Sequence, residues 1–292
     1  MYSNMSSKTM TLNYSEIDVK CLKLTDLLES EKSKGQKIAF FEYTHPTEHT
    51  KTPLFIQVPW IHMSLYGVPQ ISDYCKDDSQ RMFIKVPLDQ SIEEVRKFTE
   101  FLQTIDEWLG SEAFKQKVFE SKASKYKYQP IVRYPIDDED TKFKSKTVKH
   151  PYIKTKIAYC YQTMKIKTTV FISNTVNNKR IREKVECNDI SQFAEHICYL
   201  SKIHPIIQPF KLWAQPTNRG TQPLYGASLK VIKLEVEKPS RESGYKSYLE
   251  SEEGFISDNE DIGIKEVPAE SSVKPNIVTK IGDSDSEDAE SE

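Results

Sequence analysis

Along most of this chain apolar and polar residues alternate, which is the period of a half-buried strand and not of a helix. Residues 17–24 (IDVKCLKL), 36–43 (QKIAFFEY), 54–60 (LFIQVPW) and 82–86 (MFIKV) are the early runs. Pro59 confines the third to a sheet edge or a bulge, because its nitrogen cannot donate to a ladder. Thr25 is placed to cap a short helix through about Lys34, with Gly35 as its stop. Ser91 then opens the clearest helix. Glu94 follows at the spacing of a capping box, and Ile92, Val95, Phe98, Leu102, Ile105 and Leu109 form one apolar stripe. Gly110 fits its stop, and a second helical piece continues to about Ser121.

Strand-like runs resume at 126–136 (YKYQPIVRYPI), 152–161 (YIKTKIAYCY) and 168–173 (TTVFIS). Residues 188–202 read as a helix capped by Asp189, with Ile190, Phe193, Ile197 and Leu200 as its stripe. Two runs complete the pattern, 206–214 (IIQPFKLWA) and 225–236 (YGASLKVIKLEV). Many short strands around one strong helix predict a mainly β fold with helical insertions. An OB-fold-like barrel suits that element count, and a β-sandwich suits it as well.

Composition divides the chain. Residues 240–292 hold 15 Asp and Glu against 5 Lys and Arg, although the whole chain carries only −2. The remainder is therefore a basic body. Three segments follow: a flexible N-terminus at 1–18, a folded body at 19–239, and a disordered acidic tail at 240–292. The body's charge suits a polyanionic partner. The five cysteines form no CxxC pair, which speaks for reduced thiols in an intracellular protein. No apolar run reaches the length of a membrane span, and the N-terminus lacks the pattern of a signal peptide.

Catalytic signatures are missing. Nine glycines occur, none in phosphate-loop spacing, and neither GxSxG nor HExxH is present. His45 and His49 are separated by Pro46, which opposes the helix that would align them. Asp137, Asp138, Glu139 and Asp140 read as a solvated loop. The expectation is a protein with no enzymatic activity, no cofactor and no metal.

What the body does carry is interleaved charge and aromaticity. Residues 115–186 hold 18 Lys and Arg against 7 Asp and Glu. Single-stranded nucleic acid needs cations for phosphates and flat rings for bases. Alternation assigns faces. Tyr152, Lys154 and Lys156 share one, and Ile153 and Ile157 the other. Tyr126 and Tyr128 share a face, with Lys127 opposite. Lys211 and Trp213 fall on one side of their strand, Phe210 and Leu212 on the other. Lys230 and Lys233 fall on opposite sides of theirs. The candidate binding residues are Tyr126, Tyr128, Arg133, Tyr152, Lys154, Lys156, Lys165, Lys167, Lys211, Trp213, Arg219 and Lys230. Arg219 sits at the tip of a rim loop in which Gly220 and Gly226 permit backbone bends. Asp283, Asp285, Glu287, Asp288, Glu290 and Glu292 make the tail's end an electrostatic competitor for that groove, or a dock for basic partners.

IVRYP, YIKTKI, TTVFIS, and above all IIQPFKLWA followed by YGASLKVIKLEV, resemble the single-stranded DNA-binding proteins of nucleocytoplasmic large DNA viruses. That group is related to the short-tailed-phage type. The resemblance covers residues 128–237 and the tail. It implies non-enzymatic coating of single-stranded DNA in viral replication, recombination or repair, in the host cytoplasm or nucleus. It also implies replication proteins as tail partners, and a homo-oligomer is compatible with it. The phage-type tails finish on an aromatic residue, whereas this chain finishes AESE, so only an acidic contact is expected. A virion structural or packaging protein and an RNA-binding or transcription factor are the alternatives.

Overall fold

A computed structural model describes residues 11–31, 33–47, 51–135, 149–160, 162, 163, 165–176, 179–216 and 222–239. The first strands are β1 (Thr11–Asn13), β2 (Leu22–Leu24), β3 (Leu28–Glu29), β4 (Lys37–Thr44), β5 (Lys51–Thr52), β6 (Phe55–Gln57), β7 (Ile61–His62) and β8 (Phe83–Pro87). Helices α1 (Glu93–Gly110) and α2 (Glu112–Phe119) follow. The chain then returns to strands: β9 (Lys127–Gln129), β10 (Val132–Arg133), β11 (Tyr152–Ile157), β12 (Tyr159–Cys160), β13 (Lys165–Ile166), β14 (Thr169–Val176) and β15 (Lys179–Val185). After α3 (Ile190–His196) come two long strands, β16 (Lys202–Ala214) and β17 (Leu224–Glu237).

The fold is mainly β with a few helices, and its principal sheet curls into a half-barrel. The antiparallel β16–β17 pair is the spine. Along its free edge β17 takes three parallel partners in succession: β9 at Leu224–Gly226, β11 at Leu229–Val231 and β14 at Lys233–Val236. Along its own outer edge β16 takes β7, β6 and β4 in turn, all antiparallel. Strand β8 extends the sheet beyond β11. Pro205 and Pro209 lie inside β16 although proline cannot donate to a ladder. The Pro205 carbonyl instead accepts from the Val58 N–H at 3.0 Å and from Gln57 Nε2, and Pro209 stands next to a bulge.

The expected stripe of α1 is buried at Val95, Phe98, Leu102, Ile105 and Leu109. Its start differs from expectation. Ser91 donates backward through N and Oγ to Asp89 Oδ1, so the capping box does not form and Ile92 is the N-cap. The Glu94 carboxylate accepts from the Tyr14 hydroxyl at 3.0 Å. Within the segment expected to be a flexible N-terminus, β1 pairs with β6 in parallel and Tyr14 is buried.

The helix expected after Thr25 is absent because Thr25 is tied to β4. Its N–H donates to the Phe40 carbonyl, and its Oγ1 accepts from the Phe40 N–H at 2.9 Å. The last helix is shorter than the periodicity predicts. Leu200 turns the chain at φ 65°, and Lys202 already belongs to β16.

Tyr126 and Tyr128 do share a face, but it is the core face. Tyr126 is 6% exposed and stacks on Phe119 at 4.1 Å. Tyr128 packs on the fully buried Tyr225, whose hydroxyl donates to the Leu109 carbonyl at 2.6 Å. Rings packed in this way have no face to offer a base, which corrects the expectation for both.

Asp106 of α1 holds the sheet's corner to the helix. Its carboxylate accepts from the Tyr128 hydroxyl at 2.5 Å, the Ile131 N–H at 2.7 Å and the Val132 N–H at 3.0 Å. Burial raises its pKa despite these three donors. The same burial, followed by the Asp106 charge, pushes the Tyr128 phenol well above its ordinary value. Asp106→Ala strands three buried donors, so chemical denaturation should show a loss of about 2–4 kcal/mol.

Candidate nucleic-acid interface

One side of the spine faces away from the core, and two β-bulges decide what it displays. Pro209 pairs with Leu229 and Lys211 with Ser228, so Phe210 is an extra residue on β16. Simple alternation would bury Phe210 beside Leu212. Leu212 is buried, but the bulge turns Phe210 out to the side of Lys211, where its ring meets the exposed Phe40 at 5.8 Å. The second bulge works on β17. Ile206 pairs with Lys233 and Ile207 with Val231, leaving Ile232 as the extra residue. Gln208 and Ile206 are two apart on β16, so their partners Lys230 and Lys233 share a face. Alternation alone had set them opposite each other.

Neighbouring strands extend this face. Lys156 lies in register with Lys230. Lys154 pairs with Lys85, and Lys156 with Phe83. Arg133 pairs with Tyr152, whose ring lies 5.0 Å from that of Tyr66. From β4 through β16, β17 and β11 to β8 there are four strand steps, a width of roughly 19 Å. Trp213 lies beside Ile38 at the β4 side and rests on Gly226. A side chain at Gly226 would stand 2.8 Å from the Gln129 carbonyl oxygen and 3.2 Å from the Trp213 ring. Gly226 therefore serves close packing within a strand, and not the loop bend expected of it.

The charges on this face are unbalanced. Burial first, and then Arg133, Lys85 and Lys156, lower the pKa of Lys154; only the Cys75 thiol acts in the opposite sense. Burial first, and then Lys156, Lys211 and Lys167, lower that of Lys230. Among the described residues no carboxylate is a leading cause of either shift. Rings stand in for counter-ions. Lys230 Nζ lies 3.6 Å from the Phe210 centroid, and Lys154 Nζ lies 3.5 Å from that of Phe83. Arg133 Nε is buried without an acceptor.

Toward the far ends of β16 and β17 the character changes. Glu235 forms an ion pair with Arg182, Oε1 to Nε at 3.0 Å, and Glu237 is bridged by Arg180 and Lys202 at 3.6 Å each. Trp60 is sandwiched between Arg180 at 4.5 Å and the His204 ring at 4.6 Å. Burial lowers the His204 pKa in spite of adjacent Glu235. Arg180, Arg182 and Lys202 at this end are already paired with carboxylates, so the open basic face stops here.

Of the residues expected from sequence, Arg133, Tyr152, Lys154, Lys156, Lys211, Trp213 and Lys230 come together on this face. Lys167 is exposed and close enough to act on Lys230. Lys165 lies on the separate β12–β13 hairpin. Arg219, Gly220, the Asp137–Asp140 run and the acidic residues from Asp283 to Glu292 fall outside the described residues. Phe210 and Phe40 were missed, and so were Phe83 and Lys85. The last two were legible: alternation in MFIKV places them opposite the buried Ile84 and Val86.

No family model matches the chain. It is 27% identical over 286 residues to the uncharacterized protein R505 of Acanthamoeba polyphaga mimivirus, covering 89% of this chain and 68% of that one. Among solved structures, gp2.5, a single-stranded DNA-binding protein encoded by bacteriophage T7, aligns with 71% of this chain and 100% of its own. The TM-score is 0.33 and the identity 11%.

Depressed lysines set a pH signature. Folding lowers the pKa of Lys154 and Lys230 below 10.5, so the unfolded chain holds more protons in that window and stability rises as pH climbs through it. A bound polyanion favours the charged form and reverses the shift. Binding in alkaline buffer should therefore take up protons, which calorimetry in two buffers of different ionisation enthalpy will read.

Proposed function

We propose that this protein binds single-stranded DNA, without catalysis, across the face formed by β4, β16, β17, β11 and β8. The carrying observation is that Lys85, Lys154, Lys156, Lys230 and Arg133 meet Phe83, Phe210, Tyr152 and Trp213 on one open surface. Among the described residues none of these five cations has an ion-pair partner. Such a surface is costly to hold together unless a polyanion neutralises it. Rings between the charges suit unpaired bases, since a duplex hides base faces in its own stack. Similarity to a mimivirus protein supports a viral setting, and within it the proposed role is viral DNA replication, recombination or repair, in the host cytoplasm or nucleus.

The acidic tail, Asp283 to Glu292 included, completes the proposal as an intramolecular competitor for the basic face. It is also the segment on which replication proteins would dock. Both roles are electrostatic, so both weaken with salt.

The test is a titration of full-length protein, and of protein truncated after Pro239, with labelled single-stranded DNA, duplex DNA and RNA at two salt concentrations. Tight, salt-sensitive binding that selects single-stranded DNA and strengthens without the tail is expected. Weak binding that ignores strandedness and tail would point to a structural or packaging role instead. Trp213→Ala should cost about 1–3 kcal/mol of binding at any salt. Lys156→Ala should weaken binding and reduce the salt slope by about one.

A further inference from the structure

Phe210 and Phe83 both belong to this face, yet an ammonium already occupies the space above each. Lys230 Nζ is 3.6 Å from the Phe210 centroid and Lys154 Nζ 3.5 Å from the Phe83 centroid. A base stacks at about that same separation, so ring, ammonium and base cannot share one place. Neither lysine is settled where it lies. Each is half-buried and each faces further cations; among the described residues Lys230 has a ring in place of a counter-ion, and Lys154 a ring and the Cys75 thiol. A phosphate oxygen is a stronger partner for an ammonium than a ring face, because the hydrogen bond is charge-assisted. A four-carbon stem lets the head swing from one to the other without moving the strand.

We propose that Lys230 and Lys154 gate the Phe210 and Phe83 platforms, each covering its ring until a phosphate draws the ammonium away and frees the ring for a base. The inference rests on the single-stranded DNA reading and adds the basis of its selectivity. A ligand that brings phosphate and base together gains at both steps. A base-free polyanion uncovers the ring and leaves it bare to water. A nucleoside without phosphate meets a covered ring.

The gate has a direct signature in the free protein. An ammonium stem lying over an aromatic ring places its ε-protons in the shielding cone, so the Lys230 and Lys154 ε-proton resonances should lie upfield of ordinary lysines. Full-length, carbon-13-labelled protein would be examined alone, with oligothymidylate, with inorganic polyphosphate and with thymidine. Lys230→Arg and Lys154→Arg supply the assignments. The expected result is that oligothymidylate returns both resonances to the ordinary lysine position. Polyphosphate should do so only at higher concentration, and thymidine not at all.

Affinity gives an independent reading. Lys230→Ala removes both a phosphate contact and a cover. Against polyphosphate it should bind more weakly than wild type at every salt concentration. Against oligothymidylate the two isotherms should cross, the variant being weaker at low salt and equal or tighter at high salt, where screening removes the phosphate contact but not the benefit of an open ring. If oligothymidylate binds while the ε-protons stay upfield, the lysines are fixed parts of the platform; the gate is overturned and DNA binding stands. If no resonance of the protein responds to oligothymidylate at any salt, the gate and the function it rests on both fall.

Discussion

The pairing of β16 with β17, offset by one bulge on each strand, is the constraint on which the rest of the molecule depends. Without the bulges, strict alternation would bury Phe210 and separate Lys230 from Lys233. With them, two one-residue shifts of opposite sense convert an ordinary two-faced strand pair into one with a packed side and a basic-aromatic side. Every other strand of the face finds its place by pairing with one edge of this spine, either directly or through β11.

The two sides place opposite demands on stability. On the packed side an aromatic cluster of Tyr126, Tyr128, Tyr225, Phe114 and Phe119 joins the sheet to α1 and α2. Asp106 fixes the chain leading into β10 and so sets where Arg133 stands. On the open side, like charges repel and two ammonium groups are partly withdrawn from water. Stability invested in the helical layer offsets the cost of holding this like-charged surface together.

Much of this architecture is legible in the sequence, and the exceptions have identifiable causes. The α1 stripe and the long β-prone runs are periodic, so burial follows from spacing. Tyr152, Lys154 and Lys156 were placed on the open face by alternation, and β11 is regular. Phe210 was misplaced because a bulge changes parity and leaves no mark in residue type. Tyr126 and Tyr128 were misread because a tyrosine beside lysines looks the same whether its ring meets solvent or Phe119 and Tyr225. Strand β15 (KRIREKV) escaped notice since charges dominate it, and its arginines are held by Glu235 and Glu237 from β17. Thr25 failed as a helix cap because a strand distant in sequence offered it a ladder.

The position of the spine at the end of the described body governs how the chain is made. During synthesis β4, β6, β11 and β14 leave the ribosome before their partners in the spine, and β17 is the last of the sheet to appear. Until Leu224–Glu237 has emerged, three parallel partners lack the edge they share, and long-range pairing of this kind is slow to form. Folding is thereby deferred to a late, concerted step. A nascent chain halted short of β17 exposes a row of unpaired strand edges, the kind of surface through which chains aggregate.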